Sequence, residues 1–246
     1  DGRVTGGHRS VSPGARITLF RRPAMPTISV PLRLDPTKVA ARFDRIAPIY
    51  PFFEWLFRVP QELRQRSVDL MGLHPGDRAI SVGCGQGKSL PLLANAVGEN
   101  GRVIGVDLSR GMLRRALRRC RDRGLRNVEL VHSDINAHHS RIPWDAVLFS
   151  FSLTTFGDPR TVLLYSWKQL RPGGKLVVLD GQLPSCIPRW ILRPFMPLIR
   201  TFLEATVLGD PDMPTLDVLR VLGAEVDVER TRSGTYFIAR ITKPGL

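Results

Sequence analysis

The chain has 246 residues, of which 43% are hydrophobic and 24% charged, a composition typical of one globular domain with or without an extension. Three scattered cysteines without a CxxC pair argue against a disulfide-built secreted scaffold and favour a reduced cytoplasmic compartment, and five histidines without ligand spacing argue against a metal site. The 36 basic and 22 acidic residues leave a net charge of +14, which favours an anionic partner such as a lipid surface, nucleic acid or an acidic substrate.

Residues 1–35 are predicted to form a basic, disordered tail or a leader. They carry six arginines against two acidic residues, with glycine, serine and proline throughout, and they sustain no hydrophobic period. Met25 is an alternative start within this segment. An arginine-rich, acid-poor beginning is also typical of an organellar transit peptide, which is the alternative interpretation.

Residues 36–246 are predicted to form one α/β domain that begins with a helical cap over 36–75, with helices at 37–47 and 51–71. Short continuous apolar runs then alternate with amphipathic stretches, which is typical of a parallel sheet covered on both faces. The predicted strands are 78–83, 102–106, 127–132, 144–151, 175–180, 224–230 and 234–242, and the helices between them lie near 87–97, 110–124 and 159–171. The predicted fold is therefore Rossmann-like α/β, with a mainly parallel seven-stranded sheet and an antiparallel C-terminal edge hairpin.

A glycine-rich loop follows the first predicted strand and opens a helix. Gly83, Gly85 and Gly87 allow a tight turn and close approach of a ligand to the backbone. Asp107 closes the second strand, where a carboxylate can accept hydrogen bonds from both hydroxyls of a ribose. Three ligands compete for such a loop. A dinucleotide requires the pattern GxGxxG, in which the third glycine comes one residue later than Gly87 does in this chain. A nucleoside triphosphate requires a glycine at position 82, where this chain has Val82.

The GxGxG pattern with its ribose acid resembles the class I S-adenosylmethionine (SAM) methyltransferases, from about Val39 to the end of the chain. Residues 133–135, after the third strand, and the turn at 170–174, before the fifth, are similar to further segments of that class. The resemblance implies SAM as the cofactor and S-adenosylhomocysteine as its product. It implies that the cofactor contacts Phe43, Tyr50, Gly83, Cys84, Gly85, Gly87, Asp107, Leu108, Met112, Asp134, Ile135 and Ser150.

Two families within the class are similar to parts of this chain. Residues 42–50 resemble the opening of the ubiquinone/menaquinone C-methyltransferases, in which an aromatic pair helps to close the cofactor pocket. Residues 182–207 and 234–237 are similar to bacterial phosphatidylethanolamine N-methyltransferases. Both resemblances imply a lipid-like substrate. The chain departs from the pattern at Pro51 and Ser81, where acidic residues are usual, and Ser81 leaves room for a non-catalytic scaffold.

The substrate half of the site is predicted from residues after the fourth strand and from an insert over 182–213. The strand end lies at the carboxyl edge of the sheet, where ligands bind. The insert is expected to form a lid over the pocket, and its arginines at 189, 193 and 200 also allow a basic foot on a bilayer. The predicted substrate-binding residues are Phe151, Ser152, Thr154, Trp190 and Phe195, and the candidate general bases are His138, His139, Asp44 and Tyr50.

Arginines are concentrated on the predicted helix that begins at 110, whose apolar members fall on one face. We expect these arginines to form mainly a solvated outer face, with an anionic surface as the alternative partner. The helix has no aromatic residue for stacking on bases, which argues against RNA.

Together these features favour a SAM-dependent methyltransferase that acts on a small amphipathic, lipid-like or polycyclic molecule, with a quinol-type carbon or oxygen acceptor preferred. The alternatives are a phospholipid-amine N-methyltransferase at a membrane surface, a secondary-metabolite methyltransferase, a non-catalytic SAM-fold scaffold and an RNA methyltransferase. No apolar run reaches the ~18 residues that a membrane span requires. We expect a cytoplasmic protein that lies at the inner face of the membrane if the basic insert meets lipid.

Overall fold

The structure is a computed structural model that describes residues 36–47, 60–182 and 215–245. The predicted tail and the predicted insert from residue 183 onward lie outside these ranges, as do Tyr50, Trp190 and Phe195. The predictions made for those residues stay predictions.

The described residues form one seven-stranded sheet. In chain order its strands are β1 (Arg78–Val82), β2 (Arg102–Asp107), β3 (Val128–His132), β4 (Trp144–Ser150), β5 (Leu170–Gly181), β6 (Val226–Arg230) and β7 (Tyr236–Thr242). Their spatial order is β3-β2-β1-β4-β5-β7-β6, with β1 to β5 parallel and β7 antiparallel to both of its neighbours. The predicted mainly parallel sheet with an antiparallel C-terminal hairpin is confirmed. Strand β7 lies inside the sheet and β6 forms the edge.

Helices cover both faces of this sheet. Those in the described residues are α1 (Pro36–Ile46), α2 (Gln61–Asp69), α3 (Leu90–Val97), α4 (Arg110–Asp122), α5 (Pro159–Lys168) and α6 (Thr215–Leu219). Helix α3 begins later than the predicted residue 87, because residues 83–89 form the glycine loop. The Ser109 hydroxyl caps α4 by accepting a hydrogen bond from the Met112 N–H (3.1 Å). No helix of the described residues is long and apolar enough to cross a membrane.

Successive residues of the central strands point to opposite faces of the sheet, and both faces are buried. On β4, Val147 and Phe149 pack on the face that carries α5 and α6, whereas Ala146 and Leu148 pack on the face that carries α2, α3 and α4. All four side chains are fully buried. This two-sided burial explains the continuous apolar runs of the sequence, and it leaves the strand ends as the places where polar loops meet.

Strand β5 begins before the predicted strand because it includes the turn at 170–174. Leu170 pairs with Trp144, and Lys175 pairs with Ala146, so the residues between the two pairs bulge out of the ladder. The predicted turn is therefore an irregularity within the strand.

Gly87→Ala should destabilise the fold through packing as well as through backbone strain. Gly87 has a φ of +73°, and an added Cβ would lie 2.9 Å from both the Ala116 Cβ and the Leu90 Cδ1. Gly124 is a matched control, since its φ is +63° and an added Cβ would meet no atom within 4 Å. We expect Gly124→Ala to lower the free energy of unfolding by about 1 kcal/mol and Gly87→Ala by about 2–4 kcal/mol. Urea denaturation measures both losses, and equal losses would contradict the packing role.

Candidate active site

A cavity of about 250 Å³ opens at the carboxyl ends of β1 to β4. It lies where the strand order reverses between β1 and β4, which is where open α/β sheets bind ligands. Its walls come from the segments that follow these strands, within 81–89, 106–112, 133–136 and 150–162. Phe43 of α1 and Arg64 of α2 complete the lining.

Asp107 is a half-buried carboxylate in the cavity wall. Its Oδ2 accepts a hydrogen bond from the Gly85 N–H (2.7 Å) and its Oδ1 accepts one from the Ser109 N–H (2.8 Å). The carboxylate therefore joins the glycine loop to the start of α4. Burial raises the pKa of Asp107, and the two N–H donors oppose that rise. Each oxygen keeps a second lone pair, which leaves acceptors for the two hydroxyls of a ribose.

The glycine loop is held close to the segment that follows β4. Gly83 has a φ of +64°, and an added Cβ would lie 2.6 Å from the Ser152 Cβ. The Ser152 hydroxyl donates a hydrogen bond to the carbonyl oxygen of Val82 (2.7 Å), which ties the two segments together. Gly83 and Gly85 line the cavity, whereas Gly87 does not.

Asp44 fastens α1 to the start of α4. Its Oδ1 accepts hydrogen bonds from the Ser109 hydroxyl (2.6 Å) and from the Gly111 N–H (2.6 Å). Burial disfavours the charged carboxylate, but these hydrogen bonds and the charge of Arg114 outweigh it and hold the pKa of Asp44 below its ordinary value. The candidate base Asp44 is not among the residues that line the cavity, whereas the neighbouring Phe43 of the same helix is.

The loop after β3 forms one end of the cavity. Asp134 Oδ1 accepts a hydrogen bond from the Asn136 N–H (2.9 Å) and starts a 3₁₀ turn. Ile135 and Met112 are almost fully buried beside it and provide an apolar wall suited to a flat heterocyclic base. Among the described residues, Asn136 Oδ1 is a buried acceptor without a partner, which an amino group of a ligand would satisfy.

A buried arginine lines the other end of the cavity. Arg64 is 7% exposed, its Nη1 donates a hydrogen bond to the Ser150 hydroxyl (2.9 Å), and its guanidinium lies 5.2 Å from the centre of the Phe151 ring. Phe151 has a φ of +55°, a conformation that costs a bulky residue about 1–3 kcal/mol and that is concentrated at functional sites. Its ring also meets the edge of Tyr236, with ring centroids 5.8 Å apart.

Arg64 is the main site residue that the sequence analysis missed. Helix α2 buries Arg64, Ser67 and Val68 at helical spacing, so Arg64 occupies a position where an apolar residue is expected. An arginine in an apolar stripe is the signal that identifies it. The other cavity-lining residues not predicted as ligand contacts are Ser81, Val82, Gln86, Lys88, Ser89, Val106, Ser133, Asn136, Thr155, Phe156, Gly157, Asp158, Thr161 and Val162.

The structure brings most of the predicted cofactor residues together. Those that line the cavity are Phe43, Gly83, Cys84, Gly85, Asp107, Leu108, Met112, Asp134, Ile135 and Ser150. Of the predicted substrate residues, Phe151 and Ser152 line it, whereas Thr154 is buried in a short turn and does not.

The histidines predicted as candidate bases lie outside the cavity wall. The Tyr165 hydroxyl donates a hydrogen bond to the carbonyl oxygen of His138 (3.0 Å) and lies 2.7 Å from His139 Nδ1. The His138 ring stacks on Trp144 with centroids 6.4 Å apart, and burial lowers the pKa of His138. The His138 N–H donates a hydrogen bond to the carbonyl oxygen of the predicted cofactor residue Ile135 (3.0 Å), but neither histidine lines the cavity.

Ser81 lies at the end of β1 and lines the cavity with only 2% of its surface exposed. A neutral hydroxyl cannot supply the negative charge of the acid that is usual at this position. Among the described residues, the carboxylates that line the cavity are Asp107, Asp134 and Asp158. No group of three His, Cys, Asp or Glu in that part of the chain could hold a metal ion.

Asp180, near the end of β5, is a buried carboxyl that does not line the cavity. Its Oδ1 accepts a hydrogen bond from the Gly181 N–H (2.8 Å), and the Thr154 N–H also favours the charged form of the carboxyl. Burial raises the pKa of Asp180 to about 7. In the sequence, Asp180 is the last residue of the predicted strand 175–180.

Asp180→Asn should change how stability depends on pH. Because the carboxyl has a higher pKa in the folded state, the folded protein binds its proton more tightly, and stability is lost as pH rises from about 4 to about 7. The isosteric amide does not titrate in this range, so the variant does not lose this stability. We therefore expect the difference in free energy of unfolding, variant minus wild type, to be about 2–4 kcal/mol larger at pH 8 than at pH 5. Urea denaturation at both pH values measures the difference. Parallel profiles of the two proteins would contradict the assignment.

The strand order, the antiparallel β7 and the glycine loop hydrogen-bonded to the acid after β2 define a class I SAM-dependent methyltransferase fold. SAM is the cofactor of that class. The model of the ubiE/COQ5 methyltransferase family matches residues 33–190, a span that contains every cavity-lining residue described above, and the chain belongs to this family.

Curated relatives of the chain include demethylmenaquinone methyltransferases. The protein from Geobacillus sp. (strain WCH70) is 32% identical over 153 residues, which are 61% of this chain and 62% of that protein. The protein from Listeria welshimeri is 31% identical over 158 residues, which are 62% of this chain and 66% of that protein. The matched part of this chain therefore spans slightly less than two thirds of the length of these relatives.

Solved structures of low sequence identity share the fold. A SAM-dependent methyltransferase from Aquifex aeolicus has a TM-score of 0.56 at 21% identity and covers 85% of this chain and 98% of its own. The cyclase SpnF has a TM-score of 0.67 at 18% identity and covers 88% of this chain and 99% of its own. At these identities the likeness concerns the fold alone.

Proposed function

We propose that the protein transfers a methyl group from SAM to a quinone-like acceptor, with a quinol carbon or oxygen preferred. The observation that carries the proposal is the division of the cavity: the acid Asp107 ends β2 and the acid Asp134 follows β3, whereas Arg64 and Phe151 lie together beside the end of β4. Family membership and relatives named demethylmenaquinone methyltransferase support the acceptor class.

The first half of the cavity fits SAM. Asp107 would accept hydrogen bonds from the ribose hydroxyls, and Ile135 and Met112 would enclose the adenine. Asp134 and the unpartnered Asn136 Oδ1 provide acceptors for the adenine amino group. Bound there, SAM supplies an electrophilic methyl group on a sulfonium sulfur.

The second half of the cavity fits an aromatic acceptor that carries an ionisable oxygen. Phe151 and Phe156 line it and offer ring surface for stacking. The guanidinium of Arg64, held by Ser150, favours the deprotonated oxygen of a quinol, and a quinolate is a stronger nucleophile than a neutral quinol. Alignment of the acceptor by these groups contributes as well, since orientation can supply about 7–11 kcal/mol of a reaction barrier.

A phospholipid amine and a secondary metabolite are the alternative acceptors, and an amine would have to arrive neutral. A positive charge such as that of Arg64 disfavours an ammonium and so assists the neutral amine too. Ser81 in place of the usual acid favours a second candidate function, a SAM-fold scaffold that methylates nothing.

Asp107→Asn should weaken binding of SAM and S-adenosylhomocysteine. The amide keeps the size of the side chain but loses one acceptor oxygen and places an N–H group against a backbone donor or a ribose hydroxyl, so we expect a loss of affinity of roughly tenfold or more. Isothermal titration calorimetry of the purified protein measures it. Glu99→Gln, a change of the same kind at an exposed position, is the matched control and should leave the affinity unchanged. An affinity within threefold of the wild type in Asp107→Asn would contradict the cofactor assignment.

Arg64→Gln should lower methyl transfer to a short-chain demethylmenaquinol in detergent, followed as the gain of one methyl group by mass spectrometry. We expect kcat/KM to fall by roughly tenfold or more with little change in S-adenosylhomocysteine affinity. Arg66→Gln is the control, since Arg66 lies on the same helix and is a surface arginine paired with Glu229.

Two outcomes would contradict this account of Arg64. A loss of S-adenosylhomocysteine affinity in Arg64→Gln, from protein with unchanged thermal stability, would place Arg64 at the cofactor. Tight cofactor binding by the wild type without methylation of the quinol, of phosphatidylethanolamine or of phenolic metabolites would favour the scaffold.

A further inference from the structure

The outward side of helix α4 carries a row of arginines. Arg110, Arg114, Arg118 and Arg121 recur every three or four residues, so they project along one side of the helix, and all four are exposed. Leu117 lies within the row and is 40% exposed. We refer to these five residues as the α4 basic face.

The arginines of the α4 basic face differ from many other surface arginines in how their charge is balanced. Arginines outside α4 pair with carboxylates within 4.0 Å in the combinations Arg66–Glu229, Arg102–Glu129, Arg171–Asp145, Arg220–Asp217 and Arg240–Asp227. The four arginines of the basic face form no ion pair with any described residue. Asp122 is the sole acidic residue of the helix. The face therefore presents a positive charge that is only partly offset, by the Asp44 carboxylate, which interacts with Arg114.

This arrangement is unfavourable for an isolated helix. Arg110 and Arg114, like Arg114 and Arg118, are four residues apart and repel each other, and Arg110 lies at the helix end where the dipole disfavours a cation. An anionic surface would relieve both effects. Binding of α4 to such a surface would then be favoured in part because it offsets the repulsion between arginines that is present in the free protein.

The remaining features of the face distinguish lipid from nucleic acid. Leu117 adds one partly exposed apolar side chain to the row of cations, which can enter the headgroup region of a membrane while the apolar face of α4 stays buried in the protein. The large exposed hydrophobic residues in the described ranges are Leu117, Ile142 and Leu164, none of them aromatic, so the rings that stack on RNA bases are missing there.

The basic face and the cavity share a helix. Met112, in the first turn of α4, is buried in the cavity wall, and Gly111 is bonded to Asp44 of α1. A bilayer bound along α4 would therefore lie beside an element that forms part of the cavity wall.

We propose that the α4 basic face docks the protein on an anionic phospholipid bilayer. The choice of a bilayer as the partner rests on the proposed function, because a quinone-like acceptor with a lipid tail resides there. Each arginine close to an anionic membrane surface raises the partition coefficient of the protein onto that membrane roughly fivefold, which corresponds to about 1 kcal/mol. Added salt weakens this attraction.

Vesicle co-sedimentation of the full chain tests the proposal, with phosphatidylcholine vesicles and with vesicles in which a third of the lipid is phosphatidylglycerol. We expect binding to the anionic vesicles only, and a fall of roughly twentyfold in the double variant Arg118→Gln/Arg121→Gln. The matched control is Arg141→Gln/Arg230→Gln, which removes the same charge from exposed positions outside α4 and should keep most of the binding.

Three results would overturn the proposal: equal binding to both kinds of vesicle, equal losses in the two double variants, or a single-stranded RNA that binds more tightly than the anionic vesicles and loses affinity in Arg118→Gln/Arg121→Gln. The proposed function is tested separately from vesicle binding. With the acceptor dissolved in detergent, the double variant Arg118→Gln/Arg121→Gln should methylate it at the wild-type rate. Vesicle binding by a wild-type protein that methylates no quinol would refute the proposed function and leave the docking surface standing.

Discussion

Two hydrogen bonds to one carboxylate connect the parts of the cavity. Asp107 accepts from the Gly85 N–H and from the Ser109 N–H, so the loop after β1 and the start of α4 are held against the end of β2. Ser109 then donates through its hydroxyl to Asp44, which also accepts from the Gly111 N–H. In this way one half-buried acid holds the glycine loop directly and the N-terminal helix indirectly. Charged-group hydrogen bonds of this kind are short and strong, which suits them to fix the geometry of a binding site.

The negatively and positively charged side chains of the cavity lie in separate parts of its wall. Asp107 at the end of β2 and Asp134 after β3 line the cavity, whereas Arg64 lies beside Ser150 and Phe151 at the end of β4. On the proposed function, the two acids would meet the ribose and adenine of the cofactor, and the guanidinium would meet the oxygen of the acceptor. The positive φ of Phe151 belongs to the same arrangement, because its ring lies next to the Arg64 guanidinium and against Tyr236.

Much of the fold was predictable because burial on both faces of a parallel sheet produces continuous apolar runs between polar loops. The glycine loop and Asp107 were predictable because their roles depend on residues close in sequence to a strand end. Arg64 was not, since its partner Ser150 is 86 residues away and meets it only once α2 packs on β5 and brings Arg64 to the end of β4. Asp180 escaped notice for a similar reason: a carboxylate at a strand end is ordinary in a sequence, and only the packing around it removes its solvent. His138 shows the converse, because a polar loop residue was expected near the ligand and its ring instead stacks on Trp144.

By itself, the sequence determined the class of fold, the position of the glycine loop and the presence of an acid at the end of the second strand, because each follows from local hydrophobic periodicity and backbone freedom. Only the tertiary structure decided which side chains share the cavity. Neighbouring strands order themselves as β3-β2-β1-β4-β5-β7-β6, and that order brings together loops that are far apart in the chain. The unbalanced charge of α4 became visible in the same way. A row of arginines can be read from the sequence, but whether a carboxylate faces it depends on the packing of other elements.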